Sequence, residues 1–178
     1  MSASGGRAAS SSRWTVADYL TFSRFPLAVA FVVVPSAAWR LAILCVAGVT
    51  DLIDGWAARR WGSSRLGVFL DPVADKVFAA AAFGVVLFDG ALASWEIVAV
   101  LARDIVATAG FLVTVIRKKP VSIPARISGK IVTLFQSMTL LAYLVDSSWL
   151  RPLAWLTGLA ALYAIADYTY GRRDAQAL

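Results

Sequence analysis

Four aspartates offer this chain its clearest chemistry. In the stretch DLIDGWAARRWGSSRLGVFLDPVADKV, residues 51–77, Asp51, Asp54, Asp71 and Asp75 stand in otherwise strongly apolar surroundings. On a helix, Asp51 and Asp54 form an i, i+3 pair and Asp71 and Asp75 an i, i+4 pair, so each pair shares one face. Gly55 and Ala58 continue the first face, and Gly67 lies one turn before Asp71 on the second. Two helices therefore each present two acids beside residues with almost no side chain. Converging acids in a low-dielectric setting repel by about 1–4 kcal/mol per close pair, so a positive charge is expected between them.

The remaining composition narrows what such acids can do. There is no histidine among the 178 residues. Any general base must be a carboxylate, Lys, Tyr or Cys, and any metal site must be oxygen-liganded. The single cysteine, Cys45, lies in an apolar run and is read as a small buried apolar residue, which leaves no disulfide chemistry. The chain is 60% hydrophobic and 16% charged, with a mean hydropathy of +0.72. A soluble domain has about half apolar and a quarter charged residues, so an integral membrane protein is expected. The net charge of +6 then reads as a topology signal and an attraction to anionic lipid or phosphate. No basic surface interleaved with aromatics is present, which argues against a nucleic-acid partner.

The elements that must position the acids follow from the apolar runs. Residues 1–13, rich in Ser, Ala and Gly, read as a disordered cytosolic tail, and residues 14–178 as one membrane domain. Trp14–Tyr19 suits an interfacial lead-in. Six transmembrane helices are expected, at roughly 20–35, 39–58, 66–88, 95–116, 127–145 and 150–168, each near the twenty residues a span needs. Asp89-Gly90 and Ser147-Ser148 mark turns between them. Most tryptophans fall near span ends, as interfacial aromatics do, and Gly48, Gly110 and Gly158 read as close helix packing. Arg24, Arg59, Arg60, Arg65, Arg117, Lys118, Lys119, Arg126, Arg172 and Arg173 fall on one flank, against Arg40 and Arg151 on the other. The positive-inside rule puts both termini and the acidic stretch on the cytosolic side.

An ionised Asp near a helix centre costs about 2.5–3.5 kcal/mol on the insertion scale, so intramembrane acids are functional by default. Arg59, Arg60 and Lys76 lie near enough in sequence to neutralise some of them. The spacing D-x2-D-G-x2-A-R followed by G-x3-D-x3-D, here Asp51, Asp54, Gly55, Ala58, Arg59, Gly67, Asp71 and Asp75, resembles the signature of the CDP-alcohol phosphotransferases, also called CDP-alcohol phosphatidyltransferases. The intervening stretch Arg60–Leu66 is shorter than usual for that family. The layout of six spans matches too, so the resemblance covers most of the chain after residue 14.

The resemblance implies a membrane transferase using CDP-diacylglycerol, with Asp51, Asp54, Asp71 and Asp75 holding two metal ions and Asp75 as general base on the attacking hydroxyl. Carboxylate oxygens suit hard cations, Mg2+ or Mn2+, and the missing histidines fit the carboxylate base that the resemblance implies. The family's nucleotide site carries over to Asp51, Gly55, Ala58, Arg59 and Gly67: small residues for close approach, and Arg59 for phosphate. The resemblance further implies a homodimer in a prokaryotic plasma membrane.

Three segments bear on the acceptor alcohol, and all are similar to phosphatidylglycerophosphate synthases within the family. They are YLTFSRFP with Arg24, the Arg103-Asp104 pair, and IPARISGKIVTLFQ with Gly129, Lys130, Thr133 and Gln136, where Val132 replaces a second lysine. Arg24, Arg103, Arg126 and Lys130 are the expected ligands for an acceptor phosphate, as glycerol 3-phosphate would require. Arg24 also reads as a partner of an acid, or as an interfacial snorkelling residue. Arg103-Asp104 also reads as a plain structural ion pair. Asp167 reads as a helix-end residue without catalysis. Phosphatidylinositol-phosphate synthase and a CDP-alcohol type cardiolipin synthase are the alternatives within the family. A cation transporter lined by acids is the alternative outside it, but it leaves Arg59 and the paired small residues unexplained; a structural membrane subunit leaves the cost of the acids unexplained.

Overall fold

Each of the six apolar runs forms one helix. The computed structural model describes residues 16–61, 65–116 and 127–174, with side chains outside that description at 16–18, 54–59, 61, 65–72, 111, 114–116, 127 and 168–174. Among the described residues the chain is all-α: α1 Val16–Val33, α2 Ala37–Trp61, α3 Arg65–Phe88, α4 Ser94–Ile116, α5 Ile127–Leu144 and α6 Leu150–Asp174. The expected ends hold to within a few residues at most boundaries. α1 starts earlier, taking in part of the supposed lead-in, and α2 runs on to Trp61, so helix occupies most of the Arg60–Leu66 stretch. Residues 1–13 and the basic segment with Arg117, Lys118, Lys119 and Arg126 lie outside the described residues.

Local chemistry fixes the ends of the helices. α3 closes in a Schellman motif: Ala91 N–H donates to the Val86 carbonyl at 3.2 Å and Gly90 N–H to Leu87 at 3.0 Å. Gly90 takes φ 69°, which glycine adopts without a Cβ penalty. The same two-bond pattern ends α5, from Ser147 N–H to Ala142 and Asp146 N–H to Tyr143, with Asp146 at φ 51°. At the start of α4 the Glu96 carboxylate accepts from the Ala93 N–H at 2.8 Å, the return half of a capping box. Arg40 closes α1 by donating Nε to the carbonyls of Val34 and Phe31 at 2.8 and 3.2 Å.

α1 packs on α2 and α3, and α6 on α4 and α5, so two three-helix groups meet along a seam of α2, α3, α4 and α5. The main core gathers Phe31, Phe83, Val86, Leu92, Val100 and Leu140. Phe31 and Phe78 meet edge to face with ring centroids 5.8 Å apart. A smaller cluster of Val132, Ala161 and Ala164 joins α5 to α6, beside a buried hydroxyl pair, Thr139 and Thr157, 3.0 Å apart. Outward faces carry large apolar side chains on every helix, among them Val33, Leu52, Val98, Ile105, Leu134 and Leu162. Over the described residues, no helix is long and apolar enough to cross a membrane.

Three expectations about small residues are corrected. Cys45 is exposed, because α2 is apolar around much of its circumference and buries only the side that meets α1 and α5. Gly48 and Gly110 have nothing within 4 Å of where a Cβ would stand, so neither mediates a close helix contact. Gly158 does: its virtual Cβ is 3.3 Å from the Ala99 Cβ, which lets α6 lie close on α4.

Candidate active site

The positive charge demanded by the acids is supplied by α1. Arg24 is buried, its side chain 4% exposed, whereas those of Asp51 and Asp75 are 56% and 52% exposed. Its Nη2 donates to Asp51 Oδ1 at 2.7 Å, and Nη1 pairs with Asp75 Oδ1. One guanidinium thus ties α2 and α3 together through their carboxylates. A fork of donors on a delocalised cation suits two acceptors on different helices better than an ammonium would.

These three residues line a cavity of about 240 Å³ at the seam of the two helix groups. Its α2 wall is Leu44, Ala47, Gly48 and Asp51, and its α5 wall Thr133, Gln136, Ser137 and Leu140. Deeper in the seam a second polar cluster begins one residue after Asp75. Lys76 pairs with Asp104 of α4, which also accepts from Arg103 Nη1 at 3.0 Å and from Gln136 Nε2 at 2.6 Å. Gln136 Nε2 further donates to the Val100 carbonyl at 3.0 Å. Asp104 and Gln136 are both 5% exposed. Buried polar groups of this kind are tolerable only when their partners are in place, and here one carboxylate has three donors.

The sequence profile that describes CDP-alcohol phosphatidyltransferases matches residues 14–165, most of the chain. The chain belongs to the CDP-alcohol phosphatidyltransferase family. Proteins named CDP-diacylglycerol–glycerol-3-phosphate 3-phosphatidyltransferase from Escherichia coli, Shigella flexneri and Shigella sonnei are each 40% identical to it over 134 residues, covering 71% of this chain and 70% of the relative. The protein is therefore a phosphatidyltransferase of this family, whose members are generally dependent on a divalent metal.

Set against the family's signature, the fold puts Asp51 and Asp54 on α2, and Asp71 and Asp75 on α3. Asp51 and Asp75 converge through Arg24. The side chains of Asp54, Gly55, Ala58, Arg59, Gly67 and Asp71, and all of Arg126, lie outside the described residues. Among the described residues no group of three or more His, Cys, Asp or Glu side chains converges on one point. The two acids that are described do converge on a single centre of positive charge, and an all-oxygen donor set is what a hard divalent cation takes.

Of the cations expected at an acceptor phosphate, Arg24 lines the cavity. Arg103 sits behind Asp104 and against Gly129, where a Cβ would collide with its guanidinium, the Cζ being 3.2 Å away. Lys130, exposed, follows Gly129 in the first turn of α5. Asp167 accepts from Ser128 Oγ at 2.9 Å, a link between α5 and α6. The sequence offers Lys76 as a neutraliser of the signature acids; Lys76, one helical step after Asp75 on α3, turns instead to Asp104 on α4. The signal available for it was a charged residue in an apolar run with no acid at i±3 or i±4 on the face it occupies.

Proposed function

We propose that this transferase moves the phosphatidyl group of CDP-diacylglycerol to glycerol 3-phosphate, releasing CMP and forming phosphatidylglycerophosphate. The observation that carries this reading is that Asp51 and Asp75, joined through Arg24, line one cavity together with Lys76, Asp104 and Gln136. Acids of the signature and a cationic group then border the same space, as a pyrophosphate donor and a phosphorylated alcohol require. Identity of 40% to relatives whose names carry that reaction supports the choice of acceptor.

In this reading Asp75 accepts the proton of the attacking hydroxyl. The new oxygen–phosphorus bond forms at the phosphorus bearing diacylglycerol as the bond to the CMP oxygen breaks, so the proton resides on Asp75 and the negative charge leaves with CMP. Asp51, Asp54, Asp71 and Asp75 would hold divalent metal, Mg2+ or Mn2+, which supplies charge neutralisation at the pyrophosphate. Arg59, Gly55, Ala58 and Gly67 serve the nucleotide, and Arg24, Arg103, Arg126 and Lys130 form the cationic side toward the acceptor.

The same reading places the six helices in a bilayer. No described helix is by itself both long and apolar enough to cross a membrane, but at 18–25 residues and about 1.5 Å rise per residue they measure about 27–37 Å, the scale of a ~30 Å hydrocarbon core. Their outward apolar faces and the exposed Trp39, Trp95 and Trp149, all at the end away from the acids, support it. Arg24, Arg60 and Lys130 at the acidic end, against Arg40 and Arg151 at the other, support a cytosolic active site.

The test is purified protein with CDP-diacylglycerol, Mg2+ and radiolabelled glycerol 3-phosphate. Lipid-soluble labelled product and stoichiometric CMP are expected. Competing myo-inositol 1-phosphate and phosphatidylglycerol decide the acceptor, and no lipid product with any alcohol would sink the transferase reading for this chain.

A further inference from the structure

Beyond the signature acids, the cavity is lined by a second charged group that the family motif does not include. Among the described lining residues the cations are Arg24 and Lys76. Arg24 is committed to Asp51 and Asp75, and is buried between them. Lys76 has a different balance. Its partner Asp104 is shared with Arg103, so two cations stand on one carboxylate and the cluster retains a positive charge. Both residues line the cavity, and the side chain of Lys76 is the more accessible of the two, 27% exposed against 7% for Asp104. Arg103 Nε is buried with no hydrogen-bond partner among the described residues, a further sign that the cluster has donors in excess of acceptors.

The carboxylate itself is held from two sides. Gln136 uses Nε2 on both Asp104 and the Val100 carbonyl, and Arg103 approaches from the flank against Gly129. Without Asp104, the long Lys76 side chain would be free to swing toward the acids that precede it.

We propose that Lys76 binds the phosphate of the acceptor alcohol in this cavity, and that Asp104, fixed by Gln136 and Arg103, is the positioning residue that keeps Lys76 there. This rests on the transferase reading above. Lys76 directly follows Asp75 on α3, and although neighbouring helical side chains diverge, both line the same cavity. A short polyol phosphate anchored on Lys76 therefore has its hydroxyl on the side of Asp75, and an alcohol without phosphate lacks the anchor.

The experiment compares wild type, Lys76→Met, Lys76→Arg and Asp104→Asn, varying glycerol 3-phosphate at saturating CDP-diacylglycerol and then the reverse. Lys76→Met is expected to raise the KM for glycerol 3-phosphate about ten- to a hundredfold, the loss of one charged hydrogen bond, while the KM for CDP-diacylglycerol stays unchanged. Lys76→Arg should recover most of the loss, and Asp104→Asn should shift the acceptor KM in the same direction. A purely structural role would move both KM values together without rescue by Arg, and that result overturns the proposal. Because Lys76→Met leaves Asp104 without its main partner, the double variant Lys76→Met/Asp104→Asn removes both charges at once. It too must show the acceptor defect; a wild-type acceptor KM in that variant refutes the assignment. Calorimetric titration with inorganic phosphate separates this proposal from the reading it rests on. Phosphate binding by wild type and not by the double variant supports the Lys76 site even if no transfer is detected. Equal binding by both rejects the site even if the enzyme is active.

Discussion

At the scale of single residues, the decisive contact is Arg24 with Asp51 and Asp75. The expectation of a positive charge between the acids follows from electrostatics alone, and sequence spacing gave Arg59, Arg60 and Lys76 as its nearby sources. The charge comes from Arg24, read from the sequence as a partner of phosphate or of an acid, 27 positions before Asp51 and brought in by the packing of α1 against α2 and α3. The Asp75 assignment has a direct consequence. Asp75→Asn keeps shape and one acceptor oxygen but cannot take a proton, so turnover is expected to fall by about 10²–10⁴, with nucleotide binding largely retained. Rates together with binding of a cytidine nucleotide measure this, and normal turnover in Asp75→Asn would show the base to be another group.

At the scale of elements, small residues distinguish packed helix faces from open ones. Gly158 allows α6 to rest on Ala99 of α4, whereas Gly110 faces open space. Gly158→Leu should therefore force α4 and α6 apart and destabilise by about 1–3 kcal/mol. A Cβ at Gly110 has nothing within 4 Å, so Gly110→Ala should stabilise by about 0.5–1 kcal/mol through helix propensity. Thermal unfolding in detergent, read by the far-ultraviolet helical signal, checks both signs, and a stabilised Gly158→Leu would contradict the observed packing. Both glycines looked alike in sequence. Which of the two helix faces a partner was set only when the helices were assembled.

At the scale of the whole molecule, polar links occupy two levels. The inner one comprises Arg24 with the acids and Lys76 with Asp104 and Gln136, and takes in every helix but α6. The outer one lies at the opposite end, where Arg40 donates Nη1 to Asp89 at 3.2 Å and to Tyr143 at 3.1 Å, while the Tyr143 hydroxyl donates to Asp89. The outer cluster ties the ends of α1, α3 and α5 to the start of α2, remote from the cavity. Tyr143→Phe should cost about 1 kcal/mol of stability and leave turnover per folded molecule intact. A thermal melt paired with the transferase assay checks this; a loss of activity without a loss of stability would mean that the two ends are coupled.

Periodicity and composition alone determined that the chain is helical, how many helices it has among the described residues, and where each turns, because apolar run length and turn chemistry at Asp89-Gly90 are local properties. The spacing of the four aspartates likewise determined the family, since its fixed positions lie within one stretch of chain. The partners of those residues could not be read in this way. Arg24 meeting Asp75, Lys76 turning to Asp104, and Gln136 holding that carboxylate each join positions on different helices. Spacing within one helix carries no information on such contacts, so only the packing of one helix group against the other decided which charges the cavity holds in pairs and which cation it leaves facing inward.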